Sequence, residues 1–165
     1  MIELREEQPI LGENRFGVED IIHKEENKMN NIIWKRVKKL SDINSLNKFE
    51  QDYGISLPDS LKEFIVINNG GRPSLDITKT EAGKEVEIKA LLSFNQEDTE
   101  NIYKVIEYFK KEFNGTIVPI ATESSGDYFC IDITTGSIVY WDQETTALTF
   151  ISKNFNEFIN SLYAL

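Results

Sequence analysis

The sequence offers few groups that could do chemistry, and they can be weighed one at a time. Glu123 and Asp127 flank a Ser124-Ser125-Gly126 turn. Two carboxylates at such a turn are the raw material for general acid–base chemistry on a glycoside. Asp and Ser in turns also bond local backbone amides, and that is the stronger reading. A nucleophile at Ser124 or Ser125 would need a base, and the only histidine, His23, lies in the N-terminal segment. The single cysteine, Cys130, sits in the apolar run Tyr128-Phe129-Cys130-Ile131 and reads as a small buried residue. With no second cysteine it forms no intramolecular disulfide, and with one distant histidine it makes no nitrogen–sulfur metal site. Asp127, Asp132, Asp142 and Glu144 lack the spacing of a calcium loop. Asn69-Gly70-Gly71 has no following Lys-Ser or Lys-Thr, so it reads as a helix terminus with left-handed backbone and not as a phosphate loop. No catalytic residue, cofactor or metal ligand is assigned, and the chain is read as a non-enzyme.

Charge carries more information. The formal net charge is −10, and residues 112–152 hold six acids and no Lys or Arg. By contrast, residues 29–73 hold five acids against seven bases. A base-free acidic surface repels nucleic acid and anionic lipid, because binding phosphate requires cations to displace counterions. It attracts a basic protein and speeds the encounter. Glu123, Asp127, Asp142 and Glu144 are therefore the expected partner-binding groups. Trp141 joins them because Trp and Tyr dominate interface energetics. Its neighbour Tyr140 must point to the other face of a strand, so one of the two is expected in the core and the other more exposed.

These groups must be positioned by elements that the periodicity outlines. Residues 1–28, with eight acids and four bases, read as an N-terminal extension, and residues 29–165 as the folded domain. Val18, Ile21 and Ile22 outline one short amphipathic turn in the extension, and Met29 is a candidate second start. Ile33, Val37 and Leu40 predict a helical face, with Trp34 beside it. Ser41 is the expected N-cap of a helix carrying Ile43, Leu46, Phe49 and Tyr53, stopped by Gly54. Leu57-Pro58-Asp59 opens the next helix, with Leu61, Phe64, Ile65 and Asn68 on its face, and Asn69-Gly70-Gly71 ends it. Arg72 to Glu85 reads as a variable, turn-like stretch, and Val86 to Phe94 as one strand. Ile102, Val105, Ile106, Phe109 and Phe113 predict the clearest helix. Strands follow at 117–121, 128–133, 138–141 and 148–151, with a hairpin turn at 132–136, and Phe155, Phe158, Ile159 and Leu162 outline a closing helix. Helices, then an antiparallel meander, then a helix indicate an α+β fold. The charged N-terminus lacks a signal-peptide core and no apolar run matches a bilayer span, so a cytoplasmic chain without membrane contact is expected.

Three segments together resemble the SUKH superfamily, which includes bacterial immunity proteins and yeast cell-wall regulators. They are Leu57-Pro58-Asp59-Ser60-Leu61-Lys62-Glu63-Phe64 continuing to Asn68-Asn69-Gly70-Gly71-Arg72-Pro73; Ile117-Val118-Pro119-Ile120-Ala121 with Ser125-Gly126-Asp127-Tyr128-Phe129-Cys130-Ile131-Asp132; and Gly136-Ser137-Ile138-Val139-Tyr140-Trp141-Asp142-Gln143-Glu144. The resemblance runs from about Ile32 to about Leu162. It implies an α+β fold with a central, mostly antiparallel sheet and flanking helices. It also implies capture of a cognate protein toxin, in many cases a nuclease, with no catalytic residues to carry over. A basic nuclease toxin is the partner this implies for an acidic chain. The alternative is a regulatory scaffold that binds several partners.

Overall fold

The computed structural model describes residues 31–165, and the expectations for residues 1–28, His23 and Met29 lie outside them. Residues 33–165 form a unit of their own. In chain order its elements are β1 (Trp34–Lys35), α1 (Ser45–Tyr53), α2 (Asp59–Asn68), β2 (Arg72–Pro73), β3 (Ile77–Lys79), β4 (Glu85–Glu87) and β5 (Ala90–Leu91). A 3₁₀ turn at Ile102–Lys104 leads into α3 (Ile106–Phe113). Then come β6 (Ile117–Thr122), β7 (Tyr128–Asp132), β8 (Ile138–Trp141), β9 (Leu148–Ser152) and α4 (Phe155–Asn160).

Strands β5 to β9 form one antiparallel sheet in sequential order, and β1–β2 and β3–β4 are separate two-stranded ladders. The α+β architecture expected from the order of periodicities is the one found. Each central strand is apolar on both sides because both faces of the sheet are covered. On one face, Cys130, Ile117 and Trp141 pack against Phe109 of α3. On the other, Phe129 packs edge-on against Tyr140 and meets Phe158 of α4, with ring centroids 5.2 and 5.5 Å apart. All six residues of β6 are buried, so it reads as a continuous apolar run and not as an alternation.

Chain punctuation matches the expected chemistry at several ends. Gly54 and Asn114 end their helices in the left-handed region, and Pro58 holds the extended conformation that precedes α2. Asn154 caps α4 by accepting a hydrogen bond from the Glu157 amide at 2.8 Å.

Elsewhere tertiary pairing overrides the local pattern. No helix forms from Ile33 to Leu40. The segment instead makes β1, then turns through Arg36 at φ 58°, and leaves Ile33 and Val37 exposed. Its backbone finds partners far along the chain: the Lys38 amide donates to the Asn69 carbonyl, and the Asn69 side chain donates to the Lys38 carbonyl, both at 2.7 Å. Ser41 is likewise not a helix cap; its amide and hydroxyl bond to Asn95, α1 begins at Ser45, and Ile43 is exposed. The supposedly turn-like 72–85 stretch contributes β2 and β3. The single strand expected at 86–94 is split, because Glu85–Glu87 pairs with β3 while Ala90–Leu91 joins the main sheet. The expected 102–113 helix is interrupted at Val105, whose φ of −121° is not helical.

Candidate functional site

All five expected partner-binding residues fall at one end of the main sheet: Glu123 and Asp127 on the β6–β7 turn, Trp141 at the end of β8, and Asp142 and Glu144 on the β8–β9 turn. Their roles there differ. Asp127 is buried: its carboxylate accepts from the Tyr140 hydroxyl at 2.5 Å and from the Gln143 amide at 2.9 Å. Gln143 then donates through its side chain to the Ser125 carbonyl at 2.5 Å, so the two turns are stapled together. Gly126 makes this fit possible, because a Cβ there would lie 2.8 Å from the Gln143 amide nitrogen and φ is +107°. Burial, then the bond to Asp127, pushes the Tyr140 hydroxyl well above its ordinary pKa and keeps it a donor. Asp127 is thus the clamp of the site and not a free contact group.

Glu123 accepts from the amide and hydroxyl of Ser125, at 2.6 and 2.5 Å. Asp142 caps its own turn, accepting from the Glu144 and Thr145 amides at 2.8 and 3.2 Å. Glu144 is exposed, and among the described residues its carboxylate has no hydrogen-bond partner. Trp141 and Tyr140 are both buried, at 8% and 3% exposure, against the expectation that one would lie open. The reason is that α3 covers one face of the sheet and α4 the other.

The stapled β6–β7 turn borders two clefts. On one side Glu85, Glu87, Glu123, Asp127 and Tyr140 line an acidic cleft of about 360 Å³. The carboxyl of Glu87 is raised above its ordinary pKa by partial burial, by the charge of Asp76 and a hydrogen bond with it, and by the charge of Glu123. Lys84 stands 5.8 Å from the Tyr140 ring centre at this cleft. On the other side Tyr108, Phe109, Tyr128, Trp141 and Gln143 line an aromatic cleft, also about 360 Å³. Trp141 packs edge-on against Phe109 and Tyr108, at 5.1 and 5.6 Å between ring centres. Its indole nitrogen is buried with no acceptor among the described residues.

Sequence reading did not assign Glu85, Glu87, Tyr108, Tyr128 or Gln143 to the site. The acid–apolar–acid pattern Glu85-Val86-Glu87 was a usable signal, since strand alternation puts both carboxylates on one face. Cys130 is fully buried and its thiol is pushed up by desolvation, and no group of three or more His, Cys, Asp or Glu among the described residues could hold a metal ion. Nor is any described helix long and apolar enough to cross a membrane.

The profile of the SMI1 / KNR4 family (SUKH-1) matches residues 41–161. The chain belongs to that family. The match takes in α1 through α4, and with them both turns. A similar protein is the SPbeta prophage-derived uncharacterized protein YokK of Bacillus subtilis (strain 168), 33% identical over 69 residues. That similarity covers 39% of this chain and 36% of the relative.

Proposed function

We propose that this SUKH-1 protein is a cytoplasmic, non-catalytic immunity protein. It neutralises a cognate secreted or contact-delivered toxin by capturing it at the clamped end of the sheet. The observation that carries this reading is the acidic cleft beside the stapled turn, where Glu85, Glu87 and Glu123 converge around the Asp127 clamp. Such a cleft receives a Lys or Arg of a basic partner, and the aromatic cleft on the other side of the turn receives an adjacent apolar group. A nuclease fits, because the cations with which it holds nucleic acid are the groups this end would cover.

A tagged pull-down from native lysate at low and high salt, read by mass spectrometry, tests the reading. It predicts one dominant basic protein, released by salt, whose nuclease activity is silent in the complex. Several partners of similar yield would instead indicate a regulatory scaffold.

A further inference from the structure

A third cleft in this acidic chain gathers several of its cations. Arg36, Lys38, Arg72 and Lys89 border a space of about 520 Å³ floored by Gly70, Ala90 and Leu91, and no lining residue is shared with the acidic or aromatic cleft. Its acids are confined to the Glu97–Glu100 loop. Three of the charges are already engaged: Lys89 pairs with Glu100 at 3.0 Å, and Asp98 accepts from the Ser93 hydroxyl at 2.6 Å and the Asn95 side chain at 3.1 Å. Arg36, Lys38 and Arg72 pair with no acid among the described residues.

The cleft is also built rigidly. Asn69 is fully buried and ties three segments together, donating to the Lys38 carbonyl and the Ser93 hydroxyl and accepting from the Phe94 amide. Arg36 is held at φ 58°, a conformation that is strained for a residue with a Cβ. Gly70 leaves room for the Lys38 stem, since a Cβ on Gly70 would lie 2.8 Å from Lys38 Cγ. Strain retained beside converging like charges points to a ligand.

We propose that this cleft binds a small phosphate-bearing polar molecule. Arg36, Lys38 and Arg72 take the phosphate, and Glu97 and Thr99 take hydroxyl or amino groups at its other end. Three cations that pair with no acid among the described residues, two of them arginines, match a dianion held by forked hydrogen bonds. The volume is that of a small-molecule site. The acidic loop repels a long polyanion such as a nucleic-acid strand. With no aromatic side chain in the lining, the phosphate carrier is a hydroxylated or amino compound of the sugar-phosphate kind and not a nucleotide.

The test is an amide-resolved NMR titration of the full chain with inorganic phosphate, glucosamine 6-phosphate and glucosamine. Both phosphates are expected to shift amides of residues 36–38, 70–72 and 89–93 saturably, with glucosamine 6-phosphate about five- to tenfold tighter because it reaches both sets of groups. Glucosamine alone is expected to shift none of them. Arg36→Gln with Arg72→Gln should weaken both phosphates about tenfold or more, while Glu97→Gln should weaken glucosamine 6-phosphate alone. Unchanged amides at millimolar phosphate, or equal affinity in the double variant, would overturn the proposal. Glucosamine 6-phosphate binding no tighter than phosphate would overturn the assignment of Glu97 and Thr99. A thermal melt of each variant separates loss of binding from loss of fold.

Discussion

The clamped end of the sheet and the basic cleft solve the same construction problem with different residues. Each brings distant loops together through one buried polar side chain. At the clamped end it is Asp127, which accepts from Tyr140 and Gln143; at the basic cleft it is Asn69, which joins Lys38, Ser93 and Phe94. The amide both donates and accepts, so it can bridge carbonyls and amides alike. The carboxylate only accepts, so it gathers donors and leaves a negative charge beside Glu123 and Glu87. The choice of clamp therefore sets the polarity of the surface around it. The difference teaches that a carboxylate in the base-free stretch need not be free for contact: Asp127 is spent on building the surface, and under the proposed function its exposed neighbours are the contact groups.

That contrast can be broken at either clamp. Asn69→Ala is expected to have the largest effect, destabilising the fold by about 3–5 kcal/mol, because it strands several buried partners at once; chemical denaturation measures it. Asp127→Ala should destabilise by about 2–3 kcal/mol, the value of hydrogen bonds to a charged acceptor. It should also loosen both turns, visible as faster hydrogen exchange at the Gln143 amide. If Asp127→Ala left exchange and stability unchanged, Asp127 would return to the list of contact residues.

Smaller effects separate the contact groups. Reversing Glu87 and Glu123 to Lys should slow association with the captured partner by about tenfold or more at low salt, with the difference shrinking as salt rises. Reversing Asp142 and Glu144 should slow it by only a few-fold, since Asp142 is spent on its own turn. The Glu87 carboxyl titrates above its ordinary range, facing Asp76, Glu85, Glu123 and Lys84. In the free protein, folding favours its protonated form. A partner's cation favours the ionised form, so binding releases a proton, strengthens as pH rises through that range and weakens as pH falls through it. Glu87→Gln should flatten the acid limb of an affinity–pH profile.

Much of this architecture could be read in advance where local and tertiary preferences agree. Phe109 and Phe158 lie on helical stripes that do face the sheet, and Gly54 ends one helix and Pro58 precedes the next as their chemistry dictates. The reading failed at Ile33 to Ser41, where a helical spacing of apolar residues lost to backbone pairing with Arg72, Pro73 and Asn69. No periodicity encodes such a long-range partner. At the candidate site, the acidic stretch was legible as a cluster of turns, because turn residues are legible as turns. It did not reveal that Asp127 is buried, since that depends on Tyr140 facing it across the hairpin. Nor did it reveal Glu85 and Glu87, which reach the cleft from a separate two-stranded ladder.

The central claim, capture of a basic toxin at the clamped end, is tested most directly by one comparison. The wild-type protein and the Glu87→Lys, Glu123→Lys variant, matched for thermal stability, are used to pull down partners from the same lysate at low salt. The account predicts one dominant basic protein, inhibited when bound, that is retained by the wild type and lost by the variant. Equal recovery by the two, with the bound protein still inhibited, would contradict it.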